Sequence, residues 1–332
     1  MRPDFIVKTS KQDLTDTIKS RLISLSVVDE RGVSADTLSL TIDNSGPKFK
    51  FPSAGTDLIL YLGYEGDLKY FGQYSVDDIS LTFPVSQLSI RATGSRQRAS
   101  YYRTKRTVAY HSTTLKHVVE EIAARNQFEA RVSQAFTQFT IANIVQRNQS
   151  DSDFIVRMMQ RYGVTIKPVD GKLVGLPGGN KTSVSGAAVA TLDLQMSQIS
   201  SGSVNLTGRR QYKAVRASYY DVFAGTTVWV REGDPKGKVM ELDERFANEE
   251  EATQAAKSKL QEVQRRHYTL SLEMPGNPEI RFDRVINLLG HPDSRVSREW
   301  RAVRVEHSLS QSGFVTQAEF IAPRRTDPVT LE

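Results

Sequence analysis

A few stretches of this 332-residue chain combine residue types and spacings that could do chemistry. Gly175-Leu-Pro-Gly-Gly-Asn-Lys-Thr182 departs by one residue from the loop that cradles nucleotide phosphates. Such a cradle needs glycine before the lysine, because backbone N–H groups must close on the phosphates in a conformation that penalises a side chain. Asn180 stands there instead, and Ser183-Val-Ser-Gly-Ala is a poor start for a helix whose positive end should face the anion. A turn-rich linker is therefore expected here, and no cofactor.

The five histidines, His111, His117, His267, His291 and His307, include no His-Glu-x-x-His and no i, i+4 pair. Structural roles are expected for them rather than metal ligation. His117-Val-Val-Glu120 reads as a helix-surface pairing, and no Gly-x-Ser-x-Gly elbow occurs. Asp77-Asp78 and Glu249 to Glu251 stand in strand-edge and helix-start contexts where solvation accounts for them. A glycosidase pair could come from acids distant in sequence, but nothing singles one out. The expectation is no catalytic residue and no metal.

The densest basic stretch is Arg96-Gln-Arg98-Ala-Ser-Tyr101-Tyr102-Arg103-Thr-Lys105-Arg106. Cations interleaved with rings suit single-stranded nucleic acid, the cations on phosphates and the rings on bases. No nucleic-acid motif surrounds it, so a solvated loop is the competing reading. Trp229 and Trp300 each fall in a strand-like segment and are expected in the core.

The best-signed element runs from Gln146 to Gly163. Ser150 sits at an N-cap position with Asp153 three residues on, a capping-box pattern. Asp151 and Asp153 place negative charge at the positive end of the helix dipole. Phe154, Met158 and Tyr162 fall on one face, widened by Ile155 and Met159, and Gly163 supplies the left-handed stop.

Gln146, Asn148, Ser150, Asp151, Phe154, Arg157 and Tyr162-Gly163 resemble the signature of the phage late control D proteins. These are baseplate hub proteins of contractile tails, similar to the hub part of type VI secretion spikes. Gln149 departs from the pattern, since that family usually carries Glu there. The resemblance implies a non-enzymatic homotrimer that joins the hexameric tail tube to the trimeric central spike protein. Its further implied partners are the tape measure protein and baseplate wedge proteins, and its place is the tail baseplate of a phage or phage-tail-like particle assembled in the bacterial cytoplasm. Nucleic acid is then expected only in passage through the lumen. In that setting Arg96, Arg98, Arg103, Lys105 and Arg106 would meet acidic neighbours in an oligomer or line a channel. Two alternatives stay open: a hub with peptidoglycan hydrolase activity, and a basic β-barrel that binds nucleic acid.

The elements that must carry these residues are mostly strands. Residues 21–28, 37–42, 57–62, 70–76 and 87–92 are short, β-branched or aromatic, and separated by turn residues. The turns are Asp29 to Gly32, Asp43 to Pro47, Gly63 to Gly66, and Pro84. Thr113 to Asn126 carries Leu115, Val118, Val119 and Ile122 on one helical face. A strand-like piece from Phe136 to Val145 leads into the capped helix, and a hairpin around Asp170-Gly171 follows it. Pro177 to Ala188 reads as a linker. Strands resume at 203–206, 214–220 and 226–230, then a helix over 248–266 with acids first and Arg265-Arg266 last, then strands from Tyr268 to Ile321.

Asp57–Gly63 leading to Tyr74–Leu81 is echoed by Arg284–Gly290 leading to Arg301–Leu309, with Gly-to-Ser spacings of 17 and 18 residues. Duplication and a coincidence of hairpins both account for the echo. The expected fold is α+β and mainly β: a first tube-like barrel over 1–95, an α-rich segment over 96–185, and a second tube-like barrel over 186–332. The tube-like character of the two barrels is what the resemblance implies.

Composition agrees with a folded, polar-surfaced chain: 39% hydrophobic, 25% charged and a formal charge of +6. There are no cysteines, which excludes disulfides and thiolate chemistry. The apolar runs are too short to cross a bilayer, and the first residues lack a signal-peptide core. No membrane partner is expected.

Overall fold

The computed structural model describes residues 2–30, 36–46, 52–94, 99–169, 171–177, 191–206, 212–265 and 268–322. Arg96, Arg98, Asp170, Arg266, His267 and most of the phosphate-loop candidate and linker (178–190) lie outside the described residues. The protein is mainly β, with five helices, α1 Thr15–Lys19, α2 Ala99–Arg103, α3 Leu115–Arg125, α4 Asp151–Arg161 and α5 Glu249–Arg265, among the described residues. No helix among them is long and apolar enough to cross a membrane.

The chain divides into two compact units. Met1–Gln97, Thr191–Val204 and Leu270–Phe320 form one; Arg98–Ala190, Asn205–Thr269 and Ile321–Glu332 form the other. This partition differs from the linear one at residues 95 and 185. The first cut nearly coincides, but residues 205–269 fold with the middle segment rather than with the strands that flank them. Pairing depends on which edges are open in space, not on order along the chain.

The first unit is built on a twelve-stranded sheet made of two runs of strands. Run one comprises Pro3–Lys8, Leu22–Glu30, Thr37–Asp43, Asp57–Tyr64, Asp67–Thr82 and Gln87–Gly94. Run two comprises Leu192–Gln195, Ser201–Leu206, Tyr268–Pro275, Val285–Leu289, Glu299–Ser310 and Gly313–Ile321. Across the sheet each run has the same neighbour order: first, fourth, fifth, sixth, third, second. The segments of the sequence echo occupy the fourth and fifth places of both runs, which favours duplication over coincidence. One detail differs: the first and fourth strands are antiparallel in run one and parallel in run two.

The runs meet where Leu22–Glu30 pairs antiparallel with Glu299–Ser310, from Arg304↔Glu30 to Ser310↔Ser24. Alternation sets the inner face: Leu38, Leu40 and Ile42 are buried in one strand, and Leu58, Leu60 and Leu62 in the next. They share one core with Leu25, Val27, Leu309 and Phe314. Each buried leucine contributes roughly 2 kcal/mol through area removed from water. The terminal strand Pro3–Lys8 escaped sequence reasoning, because Pro3, Asp4 and Lys8 dilute its alternation.

In the second unit, strand Lys105–Thr114 pairs antiparallel with Thr140–Ser150. The basic stretch is therefore not all loop, since Lys105 and Arg106 open a strand. Residues Gln134–Gln138 form a 3-10 turn ahead of Thr140–Ser150, where a strand from Phe136 was expected. Val164–Val169 and Lys172–Pro177 make the expected hairpin, extended in parallel by Glu129–Val132. Ala214–Asp221 lies between Thr226–Gly233 and Val239–Phe246. Helix α5 packs Ala252, Ala255 and Ala256 with Val215, Ala217 and Phe246. Trp300 is fully buried as expected, but Trp229 is 44% exposed and lies under the Arg216 guanidinium, 4.5 Å from its ring centroid. Strand periodicity alone does not say which face of a sheet is covered.

Candidate functional site

The residues from Gln146 to Gly163 converge on a buried carboxylate. Ser150 caps α4 as its spacing requires, its Oγ accepting from Asp153 N–H at 3.1 Å and donating to Asp153 Oδ2 at 2.7 Å. That cap places Asp151 at the first helical position, fully buried. Asp151 Oδ1 accepts from Gln146 Nε2 at 2.9 Å, and Oδ2 accepts from Asn126 Nδ2 at 2.7 Å. The guanidinium Nε atoms of Arg125 and Arg106 stand 3.2 and 3.5 Å from Oδ2. A buried charge is tolerable because every side of it meets a donor, a cation or the helix N-terminus.

Each remaining motif residue has a local reason. Asn148 adopts φ +47°, a left-handed conformation that asparagine tolerates better than most residues, and its N–H donates to Thr107 Oγ1. Gln146 Nε2 also donates to the Gln149 carbonyl at 3.0 Å, tightening the chain just before the cap. Phe154 is fully buried and stacks on Tyr110 at 5.6 Å with an 11° interplanar angle. Arg157 Nη2 donates to Gln149 Oε1 at 2.9 Å. The amide oxygen thus takes the place a carboxylate would hold, without its charge. Arg157 also lies 3.7 Å from Glu244, which Arg161 contacts directly.

Tyr162 is half-buried against Phe139, and burial pushes its hydroxyl well above the ordinary tyrosine range. Gly163 has φ +67°, and a Cβ there would stand 3.1 Å from Ser258 Oγ of α5. Glu251, nearly buried at the start of α5, accepts from Ala142 N–H at 3.1 Å. The motif therefore ties three strands and three helices together.

Of the basic stretch, Arg103 and Lys105 are exposed, while Arg106 turns to Asp151. Sequence reasoning missed Arg125, Asn126 and Glu244. Asn126 is detectable as the residue that ends α3; nothing local marks Glu244. A cleft of about 550 Å³ lies beside Phe139, Tyr162, Glu250 and Lys257. Among the described residues no three His, Cys, Asp or Glu side chains are grouped to hold a metal ion.

The phage tail baseplate hub (GPD) family matches residues 81–313, a span that contains the whole motif. The chain belongs to this family. A probable baseplate hub protein of Escherichia phage 186 is 26% identical over 96% of this chain and 92% of its own length. Among solved structures, a tail protein from Neisseria meningitidis MC58 shares the fold with a TM-score of 0.73 at 11% identity, covering 97% of each chain. The E. coli c3393 protein, a component of the type VI secretion system with structural similarity to the T4 tail proteins gp27 and gp5, matches with a TM-score of 0.59 at 11% identity. That match covers 92% of this chain and 74% of the other. This family member is accordingly a baseplate hub component of a phage tail or tail-like particle.

Proposed function

We propose that three copies of this hub-family chain close into a collar that joins the six-fold tail tube to the three-fold central spike, as a structural part without catalysis. Each run of the twelve-stranded sheet is read as one tube-like barrel, and residues 96–185 as the α-rich segment between the runs in sequence. The observation that carries this reading is the neighbour order shared by the two runs. A chain with two equivalent strand runs presents six of them when three copies close a ring, and such a ring is compatible with both rotational orders.

Light scattering on the purified chain is expected to give a trimer mass, and a density map with the spike protein a three-fold ring of six similar modules. A chain that stays monomeric with its tube and spike partners overturns the collar. Clearing on a peptidoglycan zymogram overturns the non-catalytic part.

A further inference from the structure

The repeated strand order leaves one junction made and its counterpart open. Inside the chain, the second strand of run one pairs with the fifth strand of run two. The reciprocal junction would pair the second strand of run two, Ser201–Leu206, with the fifth strand of run one, Asp67–Thr82. Among the described residues Ser201–Leu206 ends the sheet. Asp67–Thr82 is flanked by Asp57–Tyr64 as far as Ser75 and by Gly55 and Thr56 at Val76; beyond that point no strand among the described residues covers this side, although the other side stays paired with Gln87–Gly94 to Thr82. A bulge between Val76 and Asp78 marks the point where the open half begins.

The sequence echo places that open half, Asp77–Thr82, opposite Val305–Ser310, within the stretch that Leu22–Glu30 covers in the made junction. Exposure follows the difference in cover. Leu309 is 7% exposed, and its counterpart Leu81 is 54% exposed. Phe83 beyond it is 82% exposed. On the other edge Ser201, Gly202 and Ser203 are exposed as well. Open sheet edges beside exposed apolar side chains are a hazard that native proteins cover.

We propose that Ser201–Leu206 of one copy pairs antiparallel with Asp77–Thr82 of the next, repeating between chains the junction made within each, and that this contact covers Leu81 and Phe83. The occupant is a second copy because the covering strand is already present in the chain as an unmatched sheet edge. Such a contact is head-to-tail, which builds a ring when the rotation between copies closes and does not build a two-fold dimer. The inference rests on the collar reading above and names its seam.

The chain has no cysteine, so introduced thiols report cleanly. Ser80→Cys would be combined with Ser201→Cys or with Ser203→Cys in the full chain, oxidised, and run on a non-reducing gel. At least one double variant is expected to form a ladder up to a covalent trimer, with each single variant unlinked. Leu81→Asp is expected to weaken self-association at least tenfold while circular dichroism and melting stay unchanged, since the side chain is exposed. A wild-type trimer that gives no ladder, or that Leu81→Asp leaves intact, overturns the seam alone. A wild-type chain that is monomeric at every concentration overturns seam and collar together.

Discussion

Arg125 Nε, in the last residue of α3, stands 3.2 Å from Oδ2 of Asp151, in the first residue of α4. Each charge sits at the helix end that its sign favours, and the two also face one another. Replacing the carboxylate by an amide removes the charge that two guanidinium groups face and sets an NH2 donor against one of the two buried amide donors. Asp151→Asn is expected to destabilise the second unit by about 3 kcal/mol. Arg106→Gln, the more distant and more exposed partner, should cost under about 1 kcal/mol. Urea unfolding with hydrogen exchange across α4 measures both, and equal effects would refute the ranking.

Gly163 is constrained by its backbone and by its neighbour. Gly163→Ala should cost roughly 1–2 kcal/mol, because alanine resists the left-handed conformation and its Cβ would press on Ser258. Adding Ser258→Ala should recover only part of the loss. Full recovery would show that the contact, rather than φ, sets the cost.

Gln149→Glu would turn the hydrogen bond that charged Arg157 donates to a neutral amide into an ion pair at the same 2.9 Å position. The gain should be about 0.5 kcal/mol at pH 7, since Arg157 is partly solvated. Arg157 would lower the folded-state pKa of the new carboxyl, so the gain is present above its unfolded pKa of about 4.3 and fades as pH falls below that. Thermal melts of both forms at pH 7 and pH 3 test the sign.

His307 provides an acid-sensitive group in the first unit. Its Nε2–H donates to the Ile280 carbonyl at 2.9 Å, which leaves Nδ1 to accept from Thr316 Oγ1 at 2.9 Å. Burial, reinforced by the nearby Arg281 charge, pushes its pKa down to about 3. The unfolded chain takes up this proton below about pH 6.5 and the folded chain does not. Stability from this group is complete above that pH and declines toward pH 3, losing about 2 kcal/mol by pH 5. Unfolding free energies between pH 7 and pH 5 should show this slope, and His307→Gln should flatten it.

Local chemistry made much of this protein legible before its folding was known. The Ser150 cap, the Phe154 face and the Gly163 stop depend on neighbours within a few residues, as do the amphipathic faces of α3 and α5. Alternation likewise marks the strands from Leu22 to Gly94. Lys105–Thr114 stayed hidden because charged residues start it and its pairing partner lies beyond α3. Trp229 was misjudged because alternation says which residues share a face, not whether that face is covered.

What the amino-acid order determined alone is the inventory: capped helices, turn-punctuated strands, no thiol chemistry and a compact family motif. Only the tertiary structure decided which edges join. Leu22–Glu30 meets Glu299–Ser310 across most of the chain, and Asp151 gathers Asn126, Arg125 and Arg106 from separate elements. Backbone hydrogen bonds between strands are nearly blind to side-chain identity, so pairing is selected by which faces must be buried together, and that is a property of the whole packed chain.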